Sequence, residues 1–206
     1  MEGEGVKLKG LKKEKSKIDA TMLHTNSALA LMTGGLTTLV GFLIEFNLFG
    51  GHVPLLVFLG TMFMITAVVK GIGTLRILKG STISITKVVV EAIVGIIFIL
   101  WSKVDVAAGL PILMVYFSAS IFANIMLTTE LYPLKGWAIS GLIALIKIGL
   151  ILLFITEGFE FGIGRGLAST SGLYLVLDGL LFLYLGVMAN LNEYFKGELE
   201  EEKPEE

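Results

Sequence analysis

The sequence predicts an all-α integral membrane protein: six transmembrane helices in three antiparallel hairpin repeats, with both termini cytoplasmic. Three observations predict it. Hydrophobic residues are 54% of the 206 and mean hydropathy is +0.84. Apolar runs of about 20 residues recur, long enough to cross a hydrocarbon core of ~30 Å. Glycines recur at a fixed spacing: Gly41, Gly95 and Gly149 lie 54 residues apart.

The spans expected from these runs cover roughly residues 27–46, 53–75, 82–101, 106–128, 134–155 and 167–190. An open strand would leave backbone groups unpaired in lipid, so runs of this length read as helices. Ala28-Leu29-Ala30 has the form of a signal-cleavage site but opens the first run instead of closing it, so 27–46 reads as a retained span. Pro54 and Pro111 enter even spans, where a missing N–H is harmless. GFLIEF, GIIFIL and GLILLF follow the same pattern in the three odd spans, beginning at Gly41, Gly95 and Gly149. Gly60 and Gly172 sit at similar depths in spans two and six. Three hairpins in series account for this.

Orientation follows from the cations. Residues 1–26 form a basic head whose first 20 residues carry Lys7, Lys9, Lys12, Lys13, Lys15 and Lys17 and a net charge of +2. With Lys70, Arg76, Lys79, Lys87, Lys135, Lys196 and Lys203, thirteen of the sixteen basic residues are counted to one side. Lys103 and Arg165 fall on the other, and Lys147 lies within the membrane. That side is expected to be cytoplasmic. The head lysines could also contact anionic lipid at about 1 kcal/mol each close to the surface. Residues 191–206 form an acidic tail of net charge −5.

Within the spans, three charges stand out. Lys147 in span five and Asp178 in span six fall at nearly the same depth, and Glu91 in span three about one turn away. Each costs ~3 kcal/mol at the bilayer centre on insertion scales, so pairing is expected. Each shares a helical face with small or polar residues: Ser140 and Ala144 with Lys147, Ser171 and Tyr174 with Asp178, and Ser84, Lys87 and Gly95 with Glu91. The other spans carry Thr33, Thr37, Gly41 and Glu45; Thr66, Lys70 and Gly73; and Ser120, Asn124 and Thr128. The expectation is that all six stripes face one interior, where Lys147 pairs with Asp178. Glu91 would be the second acid, and Thr66, Asn124 and Tyr174 supporting polar groups. Such a cluster fixes helix register, or it carries protons, a cation or a polar solute. Sequence leaves both readings open.

Over residues 27–190 the chain resembles the HdeD-like acid-resistance membrane proteins, through the glycine-led odd-span endings, the prolines opening even spans and the closing SGLYLVLDGLLFLYLG. That resemblance implies a six-span cell (plasma or inner) membrane protein tied to stress or acid tolerance, with no catalytic residues to carry over. The basic head and acidic tail are not part of the family pattern.

Other chemistry is disfavoured. The chain lacks cysteine and has only His24 and His52, so thiolate chemistry is excluded and no metal or other cofactor is expected. No H-E-x-x-H or G-x-S-x-G sequence occurs, so no enzyme is expected. Gly71-Ile72-Gly73 reads as a helix end and Gly162–Gly166 as an outer loop, and neither follows a strand as a nucleotide motif requires. No nucleic-acid partner is expected. Trp101 and Trp137 sit at span ends as interface anchors, and Ala119 with Ala123 offers a small-residue face for a homo-oligomer.

Overall fold

Each apolar run of the sequence is a helix in the computed structural model, which describes residues 25–46, 54–78, 81–101, 109–132, 136–157 and 163–190. The helices are α1 (Ser27–Glu45), α2 (Leu55–Ile77), α3 (Thr82–Leu100), α4 (Leu110–Leu131), α5 (Gly136–Glu157) and α6 (Ile163–Asn190). The shortest have 19 residues; at ~1.5 Å per residue even these nearly match the hydrocarbon thickness. All six are long and apolar enough to cross a membrane, and no strand occurs among the described residues. This is the build of a multi-pass membrane protein. The basic head up to residue 24, with its six lysines, and the acidic tail 191–206 lie outside the described residues.

Local chemistry sets the helix ends. Ser81 caps α3, its side chain accepting from the Ser84 N–H at 3.2 Å, which satisfies one of the first-turn donors. Pro54 is the N-cap of α2. α4 begins at Leu110, four residues later than expected, because Pro111 belongs in a helix's first turn. α6 begins at Ile163, four residues earlier than expected. The segment read as an outer loop is therefore helical from Ile163 through Gly166. A glycine there costs about 1 kcal/mol relative to alanine, and the burial of Leu167 and Ala168 one turn on offsets it. α2 likewise continues to Ile77, so Gly71 and Gly73 lie inside a helix and not at its end. A methyl group on Gly73 would lie 2.6 Å from Thr33 Oγ1, so the glycine lets α1 and α2 touch.

Successive helices pack side by side, and α6 returns to α1 to close a ring. Neighbours run antiparallel: Gly34 faces Gly179 while Gly41 faces Gly172, and Lys87 meets Asn124 while Ser81 meets Glu130. The start of α1 and the end of α6 share one end of the bundle, called here the near end. The most extensive contacts are α1 with α6, then α2 with α3, then α4 with α5. α6 also reaches α2 and α4, and is the most internal of the six.

Glycine pairs bring two of these seams to backbone contact. A methyl group on Gly41 would lie 2.7 Å from the Gly172 carbonyl oxygen, and one on Gly172 would lie 2.7 Å from that of Gly41. Gly34 and Gly179 are related in the same way, also at 2.7 Å. Gly60 of α2 and Gly95 of α3 repeat the arrangement at 2.7 and 2.9 Å. Gly149 of α5 differs, since a methyl group there meets nothing within 4 Å.

The bundle interior is layered. Toward the far end lies an apolar core containing Phe63, Phe98, Tyr116, Phe117 and Tyr174. Toward the near end a second apolar cluster includes Ala30, Ile77, Leu131, Ile143 and Leu185. A polar layer separates them. The outer surface is apolar: Met32, Val68, Leu75, Leu100, Val115 and Leu145 are each more than half exposed, as lipid-facing side chains are. Trp101 and Trp137 are both exposed, Trp137 in an edge-on contact with Tyr132 at 5.9 Å. Ala123 is buried and lines an interior cavity, so it does not contribute to an outer oligomer face.

Candidate functional site: an interior charge cluster

The polar layer is built from one or two side chains of each helix from α2 to α6. Asp178 is its centre. Its Oδ1 accepts from Lys147 Nζ of α5 at 2.5 Å and from Lys87 Nζ of α3 at 2.6 Å, and its Oδ2 accepts from Lys70 Nζ of α2 at 3.0 Å. Lys70 also reaches Glu91 Oε2 of α3 at 2.7 Å. The Thr66 hydroxyl closes that side by donating to Glu91 Oε1. On α4, Ser120 Oγ accepts from Lys147 at 2.8 Å and Asn124 Oδ1 from Lys87 at 3.1 Å.

Helical spacing explains the convergence. Thr66 and Lys70 are four apart on α2, Lys87 and Glu91 four apart on α3, Ser120 and Asn124 four apart on α4, and Tyr174 and Asp178 four apart on α6. Residues four apart share a face, so each of these four helices presents two groups to the layer, and α5 presents Lys147. The backbone is enlisted as well. Tyr174 Oη donates to the Lys147 carbonyl at 2.9 Å, and Ser140 Oγ to the Asn124 carbonyl at 2.9 Å. The Lys147 ammonium also stands 5.0 Å from the centroid of the Tyr174 ring, within cation–π range.

The structure brings Glu91, Lys147 and Asp178 together, with Lys147 bonded directly to Asp178 and Glu91 joined to it through Lys70. Thr66, Asn124 and Tyr174 each bond a member of the cluster or its backbone. All of these residues are buried, Lys147 and Glu91 at 0% exposure.

Two expectations need correction. The sequence places Lys70 and Lys87 among the cations of the cytoplasmic face, whereas in the structure Lys70 is buried and Lys87 turns inward to Asp178 with its side chain 12% exposed. A lysine near a helix end ordinarily extends its stem toward the interface. Lys70 lies seven residues before the end of α2, about two turns, and finds carboxylates inside. The charge balance changes with them. One lysine against two acids was expected, and three lysines in fact face two acids, so with every group in its ordinary ionised form one positive charge is left over. The clue in the sequence was the stripe itself, since Lys70 follows Thr66 and Lys87 precedes Glu91 by one turn.

A cavity of about 30 Å³ adjoins the cluster on its near side. Its polar wall includes Lys70, Thr74, Ser84, Lys87, Asn124 and Asp178, and Leu181, Phe182 and Leu185 line it toward the near end. On the far side the interior is closed by aromatic rings in continuous contact. Phe98 meets Phe63 at 6.3 Å between centroids, Phe63 meets Tyr116 at 4.9 Å, Tyr116 meets Phe117 at 5.7 Å, and Phe117 meets Tyr174 at 4.4 Å. The cluster is therefore bordered by a small cavity on one side and by packed aromatic rings on the other.

Two smaller polar contacts lie outside it. Ser81 Oγ bonds Glu130 Oε2 at 2.5 Å, joining α4 to the start of α3. Ser169 Oγ donates to Glu45 Oε1 at 3.0 Å, joining α6 to the end of α1. No group of three or more potential metal ligands from His, Cys, Asp and Glu occurs among the described residues.

Compared with protein-family models, curated proteins and solved structures, the chain matches none.

Proposed function

We propose that this is a non-catalytic multi-pass cell-membrane protein whose buried charge cluster holds its helices in register, acting in stress or acid tolerance as the resemblance to HdeD-like proteins implies. The observation that carries the structural part is Asp178 itself: one carboxylate bonded to lysines from three different helices. Taking an ion pair out of water is costly, and its best-attested return is a defined arrangement of the elements it joins. The aromatic seal supports the same reading, because a pathway through the bundle would have to part those rings.

In this reading the bundle is a triplicated hairpin with both termini cytoplasmic. The glycine seams support the triplication: Gly41 against Gly172 and Gly95 against Gly60 are the same contact, moved along by one repeat. The basic head, which places six lysines before α1, supports the orientation.

A second reading, a small transporter of protons, ions or polar solutes, draws on the cavity that reaches Lys70, Lys87 and Asp178. Proton flux decides between them. Liposomes holding the purified protein, with an imposed pH gradient and a potassium shunt, should leak no faster than empty liposomes. Flux above that level, lost in a folded E91Q variant, would replace the structural reading with the transport one.

A further inference from the structure

We propose that the cavity beside Asp178 is a binding site for one small monovalent anion of halide size. The inference goes beyond the role of the cluster in helix packing and rests on two independent observations.

The first is the charge left over. Lys70, Lys87 and Lys147 face only Glu91 and Asp178, four of the five buried and Lys87 with a side chain 12% exposed. A surplus charge in such surroundings is expensive, and Asp178 is already shared by three ammonium groups. An anion in the cavity would neutralise the cluster.

The second is Asn124. This residue is 1% exposed and lines the cavity, and its Nδ2 has no hydrogen-bond partner. Its orientation is fixed by chemistry. An ammonium only donates, so the amide must turn its oxygen toward Lys87, which it meets at 3.1 Å. The NH2 is then left as a buried, unpartnered donor. Lys70 and Lys87 add to this, since each ammonium has three N–H groups and each makes two hydrogen bonds within the cluster. Lys70, Lys87 and Asn124, each with an N–H to spare, thus line one small space.

Size and access set the class of ligand. A volume of about 30 Å³ suits one or two water-sized occupants, so a halide fits and a phosphodiester headgroup does not. Side-chain exposure rises from 0% at Lys147 to 3% at Lys70 and 12% at Lys87, so the ion enters past Lys87.

The test replaces gluconate by chloride at constant ionic strength and follows thermal unfolding of the full chain in uncharged detergent. Chloride binding should raise Tm by on the order of 3–5 °C for each tenfold increase beyond half-saturation, and broaden the 35Cl resonance. N124D and K87M each cancel the surplus charge and should lose both effects. R76Q, which removes an exposed cation of α2 outside the cavity wall, should retain both. Should N124D fail to fold, K87M alone decides. Equal melting in the two salts would overturn the proposal, as would a chloride gain that survives in folded N124D or K87M, or one that disappears in R76Q.

Discussion

Asp178 and Lys87 are bonded to each other, yet their removal should have unequal effects. D178N leaves three ammonium groups against Glu91 alone. Stripping the partner from a buried charge costs about 3–5 kcal/mol, so D178N should melt far below the parent or fail to insert. K87M leaves two lysines against two carboxylates, a balanced set, and its loss should be about 1 kcal/mol or less in the same assay, because balancing the charge offsets the lost hydrogen bonds. Equal losses would contradict the positive surplus. At this scale the sequence was half legible. Glu91, Lys147 and Asp178 declare themselves because nothing but a partner makes them tolerable in lipid. Lys70 and Lys87 do not, because a lysine within about two turns of a helix end has two solutions, extending to the interface or turning inward. Which of these wins depends on whether a carboxylate from another helix is within reach.

Between helices, the seams depend on the absence of side chains. G172A would put a methyl group 2.7 Å from the Gly41 carbonyl oxygen and 2.9 Å from the Glu45 amide nitrogen. Neither backbone can yield without moving its whole helix, so α1 and α6 should separate at a cost of about 1–3 kcal/mol. G149A meets nothing and should gain about 0.5–1 kcal/mol from lower backbone entropy in the unfolded chain. Melting temperatures of the two variants should therefore move in opposite directions. The 54-residue glycine spacing was visible in the sequence, but its use was not, since Gly149 keeps the spacing without the contact. A glycine reveals that something approaches closely only when the partner helix is known. Helix ends were displaced by up to four residues for a related reason. Hydropathy locates the apolar run, whereas Pro111 and the packing of Leu167 locate the first turn.

Across the whole molecule, the alternation of six spans makes a geometric prediction that the cysteine-free chain is well suited to test. Single cysteines at Thr25 and Asn190 should react with an impermeant maleimide from the same side of intact cells, and cysteines at Phe46 and Trp101 from the opposite side. If the basic head governs topology, the first pair is protected until the cells are opened. Labelling of Thr25→Cys and Asn190→Cys from opposite faces would exclude the ring described above. The number of spans and their approximate positions could be read from length and hydropathy because a bilayer imposes both. The closure of α6 on α1 could not, since every exposed helix face is equally apolar and only the glycine pairs choose among them.

That closure bears on how the protein is made. The most extensive interface joins the first helix to the last, and the carboxylate that gathers three lysines also belongs to the last. As the chain leaves the ribosome, α1 has α2 beside it but no partner for Gly34 and Gly41 until α6 arrives. Through the same interval Lys70, Lys87 and Lys147 have Glu91 as the only acid among the cluster residues. An unfinished chain therefore carries uncompensated charge into the bilayer until α6 brings Asp178.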